Sequence, residues 1–150
     1  MPMVSGTRVR DAMSSEVLEI PEDATLLAAA ALMATARVNS LVVQPTGRDE
    51  PYGIVTTTDI VDALADGLDL EETKVMAVAT TPLVTVTPNV PLEYAARLMR
   101  RTNLRHLAVF NGKAVVGLLS AFDITKAIAR RRVLAQGNEW EDERASAARA

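Results

Sequence analysis

Two short stretches hold the side chains best placed to do chemistry. One is Gly53-Ile54-Val55-Thr56-Thr57-Thr58-Asp59-Ile60, and the other is Gly117-Leu118-Leu119-Ser120-Ala121-Phe122-Asp123-Ile124. Each runs from an apolar, strand-like segment into a hydroxyl residue, an aspartate three positions on, and the first apolar residues of a helix. An ionised carboxylate carries only acceptor sites, so one aspartate can hold both neighbouring hydroxyl donors of a ribose. The free amides at a helix start, with a nearby cation, favour a phosphate. The same Ser/Thr-x-x-Asp spacing is equally a capping box, in which hydroxyl and carboxylate satisfy orphan amides and complement the helix dipole. Spacing alone leaves both readings open. Recurrence does not separate them, because duplication copies a cap as readily as a site.

The flanks of the two copies differ. Lys126 and Arg130 follow Asp123 at three and seven positions, about one helical face away, where Asp62 and Asp66 follow Asp59. Arg105 and His106 stand where the first copy has Asn39 and Ser40. Cations therefore gather around Asp123, while the Asp59 side adds negative charge that repels phosphate. If only one copy binds an anionic ligand, the second is expected to do so, with Arg105 as phosphate contact and Lys126 as a weaker candidate. The competing reading makes Lys126 and Arg130 a solvated helix face, or partners for Asp62 and Asp66 of the other repeat or of a second chain.

The elements that must position these groups also come in duplicate. From Val9 the chain can be laid on itself at an offset of 66, so Leu26 falls on Leu92, Ala29-Ala30 on Ala95-Ala96, Leu32-Met33 on Leu98-Met99, and Leu41-Val42-Val43 on Leu107-Ala108-Val109. A longer first loop, Gln44 to Pro51, then brings Gly53…Asp59 onto Gly117…Asp123. A repeat of this period, present twice, points to a duplicated supersecondary unit. Within each copy the pattern predicts a strand (17–20; 83–86), a helix (about 25–36; 91–102), two strands, and a second helix (59–65; 123–132). Thr25 and Pro91 are cap and early-helix residues. Asn111-Gly112 predicts a two-residue hairpin turn, and the alanine-rich first helix predicts close packing on both sides. The unit is β-α-β-β-α, twice. The expected boundaries are a flexible arm (1–8), repeat 1 (9–66), a linker (67–74), repeat 2 (75–132) and a polar tail (133–150) that includes Trp140.

Composition excludes several classes. No apolar run approaches the roughly 18 residues of a membrane span, and the N-terminus lacks the order of a signal peptide, so a cytoplasmic protein is expected. With no cysteine and a single histidine, thiolate chemistry and histidine metal clusters are out, and no metal site is expected. There is no Walker loop, G-x-G-x-x-G or H-E-x-x-H, no catalytic residue is assigned, and the protein is expected not to be an enzyme. Net charge −3 disfavours nucleic-acid binding despite Arg97, Arg100, Arg101 and Arg130 to Arg132.

A β-α-β-β-α unit occurring as a pair and closing on G-h-h-x-x-x-D-h (h apolar) resembles the CBS domain. The lead-in Val9-Arg10-Asp11-Ala12-Met13 and the passage Arg37-Val38-Asn39-Ser40-Leu41 resemble it too, and the likeness covers about residues 9–130. The resemblance implies an α/β (α+β) fold of two tandem repeats packed with pseudo-two-fold symmetry. It further implies two clefts that bind adenosine compounds such as AMP, ADP or ATP, or in some members S-adenosylmethionine. No cofactor is required. By that resemblance Asp59 and Asp123 would take ribose, Thr56 and Ser120 would lie near ribose or phosphate, and Ile54 and Leu118 would contact adenine. Ala24, Ala29, Val38 and Ser40 would complete the Asp123 side; Val90, Ala95, Leu104 and His106 would complete the Asp59 side. The expected role is a homodimeric, ligand-sensing regulatory module signalling to a protein partner, with a ligand-free interaction module as the alternative.

Overall fold

The computed structural model describes residues 6–136, with side chains through Arg131. The polar tail from Gly137 and its Trp140, the first five residues of the arm, and the side chain of Arg132 lie outside the described residues. Two compact units emerge. One comprises residues 16–85; the other joins the described residues before 16 to residues 86–136.

In the first unit, β1 (Glu19–Pro21) pairs parallel with β2 (Ser40–Gln44), and β2 pairs antiparallel with β3 (Gly53–Thr56). Between β1 and β2 runs α2 (Leu26–Ala36), and β3 passes directly into α3 (Thr57–Ala65). Thr25 caps α2 by accepting the Ala28 N–H at 3.1 Å. Leu26, Ala29 and Met33, spaced one face apart, bury against Leu41, Val43 and Val55. The outer face of α2 does not pack as its alanines predict: Leu27 is 47% exposed, and Ala28, Ala31 and Ala34 face solvent. Small side chains permit close packing on two sides, but among the described residues only one side is buried.

The second unit repeats the plan. A three-stranded sheet in the order β4 (Thr85–Val86), β5 (His106–Phe110), β6 (Val115–Ser120) carries α4 (Leu92–Thr102) and α5 (Ala121–Gln136). The buried set is the first one moved along the chain: Val86, Leu92, Ala95, Met99, Leu107, Val109 and Leu119. Arg97, Arg100 and Arg101 lie exposed on α4, as its pattern predicts. The β5–β6 turn is longer than the two residues expected. It spans residues 111–114, because Asn111 Oδ1 accepts the N–H groups of Lys113 and Ala114 and holds the turn through its side chain.

The lead-in segments supply the main surprise. Val9–Ala12 forms a short helix, α1, whose Arg8 N–H donates to Asp11 Oδ2 at 2.8 Å. It packs in the second unit: Val9 N–H donates to Val90 O, and Ser14 exchanges both backbone hydrogen bonds with Leu118 at 2.9 Å. The arm's last residues are held there too, since Leu92 N–H donates to Thr7 O and Arg8 bridges to Pro91. The matching segment, a 3-10 turn at Val75–Ala77 followed by Thr80, serves the first unit, with Val75 in its core and Thr80 exchanging both bonds with Ile54. Each unit therefore takes its lead-in from the stretch preceding the other repeat.

One loop carries a pH-sensitive tie. Glu22 Oε1 accepts the Thr46 N–H (3.0 Å) and hydroxyl (2.7 Å), anchoring the long first loop to the end of β1. The backbone bond chiefly, then the hydroxyl, hold the Glu22 carboxyl below the usual carboxylate range, against some desolvation and with a smaller contribution from Glu50. The folded state thus favours the charged form. Its contribution is fully present above the unfolded-state pKa and disappears as pH falls through the lowered folded value. The stability difference between wild type and Glu22→Gln, followed by urea denaturation at decreasing pH, is expected to be constant near neutrality and to vanish in acid below the ordinary carboxylate range.

Candidate functional site

Both signature aspartates are helix caps. In α3, Thr56 is the N-cap and Asp59 the third helical residue. Thr56 N–H donates to Asp59 Oδ2 at 2.8 Å, and the Thr56 hydroxyl stands 3.2 Å from the same oxygen. In the second unit Ser120 N–H donates to Asp123 Oδ2 at 2.8 Å, and Asp123 N–H donates to Ser120 Oγ at 3.1 Å. Both helices therefore start two residues before the aspartate where they were expected to begin, since a capping box needs its acid at the third position. The next orphan amide is also satisfied. Thr57 N–H donates to Asn39 O at 3.0 Å, and Ala121 N–H to Arg105 O at 2.9 Å.

Capping leaves acceptor capacity. A carboxylate has about four acceptor positions, and the cap occupies one oxygen. At Asp123 the other oxygen, Oδ1, lies 3.4 Å from Lys126 Nζ. The aspartate is 13% exposed and the lysine half exposed, with its ammonium 5.3 Å from the Phe122 ring centroid. Asp123, Lys126 and Arg130 line a recess of about 220 Å³, closed by Asp11, Met13 and Ser14 of the lead-in. At Asp59 the residues in the matching positions, Asp62 and Asp66, are exposed and acidic.

The remaining expected site residues divide by position. His106 lies directly across from Ser120 in the β5–β6 register and is half-buried, as Ser40 lies across from Thr56 and is buried. Ile54 and Leu118 are buried, each tied to its bridging lead-in. Ala29 and Ala95 are fully buried and present no surface to a ligand in this state. Ala24 and Val90, half-buried, accept the N–H groups of Val75 and Val9, and Leu104 N–H closes the end of α4 on Met99 O. Val38 lines a separate, apolar groove of about 480 Å³ between α2 and α3. Arg105 is exposed, and its side chain is not among those lining the recess. Spacing missed Asp11, Met13 and Ser14. Their signal was available in the repeat itself, because Ser14 falls on Thr80 at the 66-residue offset and both bridge a signature strand.

No group of histidine, aspartate or glutamate side chains able to hold a metal is found among the described residues. No described helix is long and apolar enough to cross a membrane.

Known proteins resemble the chain in sequence and in fold. The chain is 34% identical over 125 residues to a homoserine O-acetyltransferase of Methanosphaerula palustris; the match takes in 83% of the chain and 24% of that protein, so the chain spans about a quarter of its length. A hexameric CBS-CP12 protein from bloom-forming cyanobacteria superposes with a TM-score of 0.76 at 36% identity, covering 84% of this chain and 73% of that one. A CBS domain protein of Pyrobaculum aerophilum, complexed with AMP, superposes with a TM-score of 0.67 at 32% identity, covering 77% of this chain and 88% of that one. The CBS domain profile matches residues 9–66 and again residues 75–130. With both profile matches, and a β-α-β-β-α plan in each copy, the chain belongs to the CBS domain family as a tandem pair.

Proposed function

We propose that the chain is a regulatory module that binds an adenosine nucleotide, AMP, ADP or ATP, at the Asp123 side. The observation that carries this reading is the recess of the second unit: a largely buried carboxylate with Lys126 and Arg130 on the same wall. Asp123 would accept the ribose hydroxyls, and the two cations would meet phosphate, with Arg105 a more distant contributor. At about 220 Å³ the recess is smaller than a typical whole-ligand pocket of roughly 300–1,000 Å³ and suits a sugar–phosphate portion. The pair between Lys126 and Asp123 makes the two halves of recognition interdependent. A ribose that draws on Oδ1 weakens the lysine's bond, and a phosphate gives the lysine a replacement partner. The AMP complex of the Pyrobaculum aerophilum protein supports the ligand class.

The module works through differential affinity: ligand favours one conformation only to the extent that it binds that state better, and a partner protein reads the change. In this reading the module is a homodimer, supported by the exposed apolar side chains of Val61, Leu64 and Phe122. A thermal-shift panel of AMP, ADP, ATP, NADH and S-adenosylmethionine tests the ligand. A nucleotide at 100 times its Kd is expected to add about 2.7 kcal/mol of stability. Silence across the panel at millimolar ligand would leave the interaction-module reading in its place.

A further inference from the structure

The first long helices of the two repeats end alike in backbone and differently in side chain. Helix α2 closes on Arg37 (φ 58°, ψ 46°) and α4 on Asn103 (φ 57°, ψ 35°), equivalent positions at the 66-residue offset. Both residues are left-handed, and each donates its N–H to the carbonyl four residues back, Met33 O or Met99 O. Left-handed backbone is costly for a residue with a long side chain, and glycine or asparagine usually stands there. Repeat 2 has the usual residue. Repeat 1 carries an arginine, exposed and without a carboxylate partner among the described residues. Its unit is otherwise acidic, since residues 16–85 hold twelve acidic against three basic side chains. The Arg37 guanidinium therefore serves neither its own backbone nor a neighbouring acid.

Arg37 lines the open groove between α2 and α3, about 480 Å³ and walled by Ala30, Met33, Ala34, Ile60 and Val61. Asn39 and Thr57 are its other polar residues, and both are uncharged. The volume lies within the roughly 300–1,000 Å³ of small-molecule sites. The small alanines of α2 leave room there for a chain to lie against the helix. An apolar wall with a single cation fits a ligand of the same pattern. We propose that this groove binds a free medium-chain aliphatic carboxylate, its chain along the wall and its head on the Arg37 guanidinium. A guanidinium presents paired N–H donors that match the two oxygens of a carboxylate. The acidic unit also selects for one negative charge: a polyanion would gain one arginine and meet the repulsion of Asp62 and Asp66 on α3. No residue of the Asp123 recess lines this groove, so the site stands whether or not a nucleotide binds.

Octanoate and uncharged 1-octanol are the probes, titrated calorimetrically into the full chain. Wild type is expected to bind octanoate at least about tenfold more tightly than 1-octanol, the scale of a hydrogen-bonded pair between charged groups. Arg37→Asn installs in repeat 1 the cap that repeat 2 already uses. It is expected to remove that preference and leave both probes at the 1-octanol affinity. Its urea midpoint should equal or exceed that of wild type, because asparagine suits the left-handed backbone. Ala34→Glu, on the exposed face of α2, supplies a second variant. Its carboxylate stands three residues from Arg37 and should cut octanoate affinity at least about tenfold by repulsion and by occupying the guanidinium. Octanoate affinity unchanged in Arg37→Asn would overturn the proposal, and a lowered urea midpoint beside it would assign the arginine to the α2 dipole. Absence of binding by either probe, the result expected if a second copy or another protein covers Val61, would overturn it as well.

Discussion

Asp123→Asn is expected to weaken nucleotide binding by at least about 100-fold while the protein stays folded. The ribose diol would lose two charge-assisted hydrogen bonds, each worth roughly 1.5–3 kcal/mol, and about 1.4 kcal/mol corresponds to a factor of ten. The fold loses much less. An asparagine oxygen can still accept the Ser120 N–H that now reaches Oδ2 at 2.8 Å. The Lys126 pair, with its lysine half exposed, is of a kind that contributes about 0–1 kcal/mol. Asp59→Asn alters an equivalent cap in the same way, so its small stability loss should be similar, yet nucleotide affinity should move less than about threefold, because Asp62 and Asp66 add negative charge on that side, which repels phosphate. Calorimetric titration of AMP into wild type and both variants decides the matter. Equal losses of affinity would remove the asymmetry on which the proposed site rests.

Gly117→Ala is expected to cost about 1–3 kcal/mol, the usual range for overpacking a close contact. A Cβ on Gly117 would lie 2.6 Å from Met13 Sδ and 2.9 Å from Ser14 O. The thioether can swing away, but the carbonyl cannot move freely, since it accepts the Leu118 N–H in the bridge to β6. Relief must come by lifting the lead-in from the strand, and Met13 and Ser14 form one wall of the Asp123 recess. Nucleotide affinity is therefore expected to fall along with stability. Gly53→Ala is the control. Its Cβ would run into Thr81 Cγ2 and lie 2.8 Å from Thr80 O, a clash of the same kind, but no residue of the Gly53 bridge lines that recess. Urea denaturation should show similar destabilisation in both variants, and AMP titration a loss of affinity only in Gly117→Ala. A Gly53→Ala variant that also lost affinity would show that the wall formed by Met13 and Ser14 is not what matters.

Much of the fold was legible because the repeat makes the same physical statement twice. A buried Leu26 with Ala29 and Met33 on one helix face reappears as Leu92 with Ala95 and Met99, and coincidence rarely reproduces a whole face. The capping boxes were legible for the same reason. What escaped reading were properties set by neighbours distant in sequence. Periodicity identifies Val9 and Val75 as equivalent apolar residues but does not say which half each one buries in. The alanines of α2 permit a second packing surface without requiring one. Asn111 occupies a position where either a two-residue turn or a side-chain-braced longer one satisfies the local rules, and the β5–β6 register decides between them. At the site, the sequence placed Lys126 near Asp123 correctly. That the lysine reaches the aspartate's own oxygen depends on rotamers, about which spacing says nothing.

The crossed lead-ins bear on what counts as a portable piece of this protein. A fragment cut at the repeat boundaries, residues 9–66, would carry α1, which belongs to the other half, and would lack Val75 and the Thr80 bridge that finish its own sheet and core. Residues 16–85 hold every part of one half in a single uninterrupted stretch, whereas the other half is assembled from two separated stretches of chain. The heritable repeat and the foldable half are thus offset in phase along the gene. Duplicating, transplanting or excising one copy at its visible sequence boundary damages both halves, which makes the pair, not the single repeat, the smallest inheritable whole.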